Sequence, residues 1–139
     1  MSFNLGKAPA EESPYGIVKL HGVFVGGGAA ANCSKTYAPG MTSLNYDAAT
    51  GLYKLTLDGV AGYFLGCRCT VMTAAGAANT VNMRPRGAVT GTHAYDHGDK
   101  TVLLEVTDCS ATPAAKDLTT GDEVFITVYW VEHKDVRLP

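Results

Sequence analysis

The stretch SLNYDAATGLYKLTLD, residues 43–58, sets the tightest limit on what this chain can fold into. Two β-rich runs flank Asp47–Gly51, and Gly51 can take the positive φ that closes such a turn. The second run places Tyr53, Leu55 and Leu57 on one face and Lys54, Thr56 and Asp58 on the other, the alternation of a strand that lies between a core and water. A hairpin with so definite a register needs a second apolar layer to cover it.

The rest of the chain offers that layer as further strands. In YGIVKLHGVFV, residues 15–25, Val18, Leu20 and Phe24 share a face opposite Lys19 and His21. In GYFLGCRCTVMT, residues 62–73, alternation puts Tyr63, Leu65, Cys67, Cys69 and Val71 on one side and Phe64, Arg68, Thr70 and Met72 on the other. KTVLLEVTD aligns Val102, Leu104 and Val106, and EVFITVYWVEH closes the sequence's β-rich part. VNMRPRGAV is a weaker strand, because Pro85 lacks an amide hydrogen and belongs at an edge or a bulge. GGGAAANCS and AAGAANT are loops of small residues, and DCSATPAAKDLTTGDE is a long crossing connection of the Greek-key kind. Helical periodicity is absent, so the expected fold is all-β, an antiparallel two-sheet β-sandwich or jelly roll.

At 139 residues the chain suits one domain. Residues 1–14, with Pro9 and Pro14 and no alternation, are expected to be an extended N-terminal arm, and residues 15–139 a single β-sandwich domain. The start of the chain lacks a charged-then-apolar leader, and no run is apolar enough to span a bilayer, so a soluble protein made without a signal peptide is expected. Lys and Arg total 11 against 13 Asp and Glu, a formal charge of -2 with no basic stripe, which disfavours nucleic-acid and anionic-membrane partners.

Candidate chemistry is sparse. Cys33, Cys67, Cys69 and Cys109 are expected to be reduced, buried thiols, with two disulfides open to them on exposure to oxidant; a four-thiolate metal site is disfavoured because one intervening residue on a straight strand sets Cys67 and Cys69 awkwardly as ligands. In HAYDHGD, His93, Asp96, His97 and Asp99 crowd together, but the segment shows no helix to align the two histidines, so a solvated loop tip is expected rather than a metal site. His21 and His133 are expected at the surface. No nucleophile elbow is present, and the triple glycine at 26–28 has neither the lysine nor the hydroxyl of a phosphate cradle. Neither catalysis nor a cofactor is expected.

The last strand is different in kind. Val124, Ile126, Val128 and Trp130 alternate with Phe125, Tyr129 and Val131, so both faces are apolar. A strand in a small sandwich should have one wet face, and the second apolar face implies cover from the protein's own loops or from a neighbouring subunit.

The run NYDAATGLYKLTLDGVAGYFLGCRCTV, followed by KTVLLEVTD and TTGDEVFITVYWVEH, resembles small virion structural proteins of tailed bacteriophages, over about residues 43 to 133. Proteins similar to this include capsid decoration, or cement, proteins: trimeric jelly rolls on the outside of the head. The resemblance implies that Tyr53, Leu55 and Leu57 are core, that Phe125, Tyr129 and Val131 are subunit-interface candidates in a homotrimer, and that no catalytic residue is inherited. It further implies a virion location at the capsid surface, after assembly in the host cytoplasm, with the major capsid protein as partner. Lys7, Glu11 and Glu12 of the arm are then the capsid-contact candidates. Two alternatives carry different expectations. A receptor- or glycan-binding jelly-roll head of a fibre or tail would use Tyr37, Tyr46 or Tyr95, and a metal-assisted enzyme would use the cluster at residues 93–99.

Overall fold

The computed structural model describes residues 2–4, 9–12, 17–58, 62–74, 80–86, 95–96 and 100–132, and among them there is no helix. The described residues form eleven strands in chain order: β1 (Ser2–Asn4), β2 (Pro9–Glu12), β3 (Ile17–Val25), β4 (Ser34–Tyr37), β5 (Met41–Tyr46), β6 (Leu52–Leu57), β7 (Gly62–Met72), β8 (Val81–Pro85), β9 (Tyr95–Asp96), β10 (Thr101–Asp108) and β11 (Glu123–Glu132). One sheet runs β1-β2-β3-β11-β7, with β4 also on β3; the other runs β5-β6-β10-β8, with β9 also on β10. Every pairing is antiparallel. The molecule is a β-sandwich, and the chain changes sheets between β4 and β5, between β6, β7 and β8, and between β10 and β11, as in wound Greek-key connections.

The core is what the alternation dictates. Val18, Leu20 and Phe24 of β3 and Val124, Ile126 and Val128 of β11 face Leu44, Tyr53, Leu55, Leu57, Met83, Val102, Leu104 and Val106 of the other sheet, all buried in one cluster. Burial of a side chain such as Leu55 or Phe24 contributes roughly 1.5–3 kcal/mol. Tyr53 brings a polar atom into this layer, and its hydroxyl accepts a hydrogen bond from the Leu118 amide at 2.9 Å, so the crossing connection is fastened to the hairpin. Burial pushes the phenol up to about 12. Gly51 turns the hairpin at φ 73, and a Cβ there would stand 2.5 Å from the Val106 carbonyl oxygen.

Three elements depart from the sequence expectation. The arm at residues 1–14 supplies β1 and β2, a short hairpin whose second strand pairs with β3 at Glu11↔Lys19 and Glu12↔Val18. Local alternation is too short there to be read; partnering by the edge of β3 supplies the order. β4 was hidden within a loop-like region because all four of its residues are exposed, so no apolar pattern marks it. In β7 a bulge at Gly66 shifts the phase: Tyr129 pairs with Gly66 but Trp130 with Phe64. Phe64 therefore packs on the core and Leu65 is exposed, the reverse of the alternation expected for that end of the strand. Gly66 holds φ 156, a backbone that a side chain disfavours.

The weak strand at Pro85 is real and ends β8, opposite Leu104. β3 and β11 run side by side over nine residue pairs, from Val25↔Glu123 to Ile17↔Val131.

Candidate functional site

β11 lies between β3 and β7, so its outward side chains sit in the middle of a three-strand surface. Register builds that surface in rows, since directly opposed residues share a face. Val23, Phe125 and Thr70 form one row, His21, Thr127 and Arg68 the next, and Lys19 and Tyr129 a third, closed by Gly66. Tyr37 of β4 extends the first row beyond Val23. Phe125 and Tyr129 are half-buried. Around them stand the large apolar side chains exposed most, Tyr37 at 58%, Leu65 at 52% and Met72 at 59%.

Polar groups on this face are tied to its centre. The Lys19 ammonium lies 5.9 Å from the Tyr129 ring centroid, within cation–π range. His21 Nδ1 and Thr127 Oγ1 are 3.1 Å apart. The surface is thus an aromatic and aliphatic patch with cations among it.

The opposite outer face also carries half-buried leucines, Leu52 and Leu103, but among ion pairs. Lys54 pairs with Asp47 at 3.6 Å, and Arg84 of β8 pairs with Glu105 of β10. Thr42, Asn45, Asn82 and Arg84 are exposed there.

Of the residues singled out from sequence, Phe125 and Tyr129 share the β3–β11–β7 face, two rows apart with Thr127 between them. The backbone of Val131 continues that strand, opposite Ile17; its side chain lies outside the described residues. Lys7 lies outside them too, and Glu11 and Glu12 are backbone-paired to β3 rather than on an unpaired arm. His93, His97, Asp99 and His133 fall outside the described residues, while Asp96 and Tyr95 form β9 against Thr101 and Val102. Tyr46 packs edge-on against Tyr53, with ring centroids 6.0 Å apart. All four cysteines are free, with Cys33, Cys67 and Cys69 half-buried and Cys109 exposed. Burial raises the Cys33 thiol to about 11. Cys67 and Cys69 are less awkwardly set than a straight strand suggested, since their sulfurs lie 3.6 Å apart. Among the described residues no group of three or more His, Cys, Asp or Glu side chains is placed to hold a metal ion.

Sequence reasoning missed the carboxylates that organise one end of the sandwich. Asp122 is buried, and accepts from the amides of Ala74 at 2.9 Å and Thr119 at 2.8 Å. Asp117 accepts from Ala30 at 3.0 Å and Gly51 at 2.7 Å. Asp108 accepts from the Ser110 hydroxyl at 2.7 Å and the Ala114 amide at 3.1 Å, and these bonds hold its carboxyl below the usual range. Each carboxylate joins segments far apart or closes a loop, which no local pattern reveals. Compared with protein-family models, curated protein sequences and solved structures, the chain has no match.

Proposed function

We propose that this protein is a structural module of a phage virion, a capsid-decoration domain that self-associates as a homotrimer and binds the outer surface of the head. The observation that carries the reading is the half-buried Phe125–Tyr129 pair at the centre of the β3–β11–β7 face, surrounded by exposed Tyr37, Leu65 and Met72. A second copy of the same chain suits that face: it is apolar at its centre, it belongs to the regular sheet rather than to a loop, and burying each large side chain adds roughly 1.5–3 kcal/mol. The ion-paired face of the other sheet then remains in water. Three linked copies on a symmetric shell gain avidity as well as contact area. The resemblance of residues 43–133 to phage virion proteins supplies the head as the partner.

Light scattering of purified protein, together with co-sedimentation on empty heads, tests both parts. The expected result is a trimer at micromolar concentration that pellets with heads. A monodisperse monomer overturns the oligomer, and a trimer that stays in the supernatant while binding immobilised glycans favours the fibre-head reading instead.

A further inference from the structure

Methionine fills apolar gaps with a flexible thioether, and that sulfur is also open to two-electron oxidation to the sulfoxide. Among the described residues it stands in two settings. Met41 and Met83 belong to the core cluster at 1% and 4% exposure, and a Cβ at Gly22 would stand 2.6 Å from the Met41 sulfur, so backbone closes over it. Met72 is 59% exposed. It ends β7 opposite Glu123, which is itself opposite Val25, and these three form a row on the outer β3–β11–β7 face. The next row is that of Phe125 and Thr70. Diagonal neighbours on one face of a sheet lie within reach of long side chains, so Met72 extends the apolar surface around Phe125.

We propose that Met72 is an oxidation site at which a peroxide switches self-association off; the proposal rests on the reading of this face as a contact between copies. In the step, the thioether sulfur attacks one oxygen of hydrogen peroxide. An S–O bond forms as the O–O bond breaks, sulfur loses two electrons, and the second oxygen leaves with both protons as water. The product is polar where the thioether was apolar. Val25 and Glu123, a valine and a carboxylate, offer the new oxygen no side-chain donor within its row, so covering it with another copy removes its water without replacing the hydrogen bonds. Contact between copies covers the unoxidised thioether in turn. Oxidised copies therefore stay apart, assembled copies resist the oxidant, and the two core methionines are shielded by the fold.

The test treats the full chain briefly with hydrogen peroxide and then with a thiol reductant, which reverses sulfenic acids and disulfides at the cysteines and leaves the sulfoxide in place. Peptide mass mapping is expected to show Met72 gaining one oxygen roughly tenfold faster than Met41 and Met83, and more slowly as protein concentration rises and copies associate. Analytical ultracentrifugation is expected to show self-association weakened about tenfold or more by the oxidation, and restored by methionine sulfoxide reductases of both epimer specificities. Met72→Leu, compared with itself, is expected to associate equally before and after peroxide. Met72→Gln, polar without any oxidation, is expected to associate as weakly as the oxidised chain. A chain that is monomeric before treatment overturns the contact between copies and the switch with it. A chain that associates, and associates equally once Met72 is oxidised, overturns the switch alone, as does oxidation of Met41 or Met83 at the rate of Met72.

Discussion

The two sheets turn different surfaces outward, although their inner surfaces are alike. Inside, both contribute alternating aliphatic and aromatic side chains to one buried cluster. Outside, the β5–β6–β10–β8 sheet carries Lys54–Asp47 and Arg84–Glu105 pairs around half-buried Leu52 and Leu103, whereas the β3–β11–β7 sheet carries Phe125, Tyr129, Val23 and exposed Leu65, Met72 and Tyr37 around Lys19, His21 and Arg68. Packing the core requires only one apolar face per sheet, so the second apolar face is not explained by folding.

The sharpest way to break this contrast is to place a charge on each face. Phe125→Asp is expected to weaken self-association at least 100-fold by analytical ultracentrifugation, equivalent to about 2.7 kcal/mol, while Thr56→Asp on the other sheet leaves it unchanged. Equal effects from the two variants would dissolve the distinction. Next in size is the buried carboxylate at one end of the β3–β11–β7 sheet: Asp122→Ala leaves the Ala74 and Thr119 amides without their acceptor and should cost about 2–4 kcal/mol in urea unfolding. The surface pair tests the opposite limit, since Asp47→Ala should cost no more than about 1 kcal/mol.

Tyr53 gives the core a pH signature. Its folded pKa is raised to about 12 from 10.0, so the neutral phenol is the form the fold favours. Its contribution is fully present below pH 10 and is lost as pH rises through 10 toward 12. Tyr53→Phe should cost about 1 kcal/mol at neutral pH, through the lost bond to Leu118, and should flatten the alkaline fall in melting temperature. A smaller effect is expected from removing residues 1–14. β2 meets β3 at two residue pairs, so circular dichroism should show a folded sandwich with a melting temperature only a few degrees lower, and co-sedimentation should show weaker binding to heads. Unfolding of the truncated chain would make that hairpin part of the core architecture.

The sandwich was legible where alternation and burial coincide. Tyr53, Leu55 and Leu57, Val102, Leu104 and Val106, and Val124, Ile126 and Val128 all face inward as their spacing requires. It was illegible where one glycine inserts an extra residue, as at Gly66, because the bulge puts the two halves of the strand out of phase and so inverts the assignments of Phe64 and Leu65. β4 escaped notice for the opposite reason, having no buried residue to mark its period. The outer face was half legible: Phe125 and Tyr129 could be read from β11 itself, but Tyr37, Val23 and Met72 join them only through cross-strand register. The Cys67–Cys69 spacing was visible, but the distance between the sulfurs depends on side-chain rotamers that sequence does not specify.

The adjacency of β3 and β11 has a practical meaning. With Ile17 opposite Val131, the start of β3 and the end of β11 lie side by side at one end of the sandwich, with β2 and β1 beyond β3, while the loops tied by Asp117 and Asp122 occupy the other end. In a chain that begins at β3, a short linker between those two points would permit circular permutation, with new ends opened in the exposed stretch 109–115. Passengers fused there would be displayed from the end opposite the start of β3, so the same scaffold could present cargo in either of two directions.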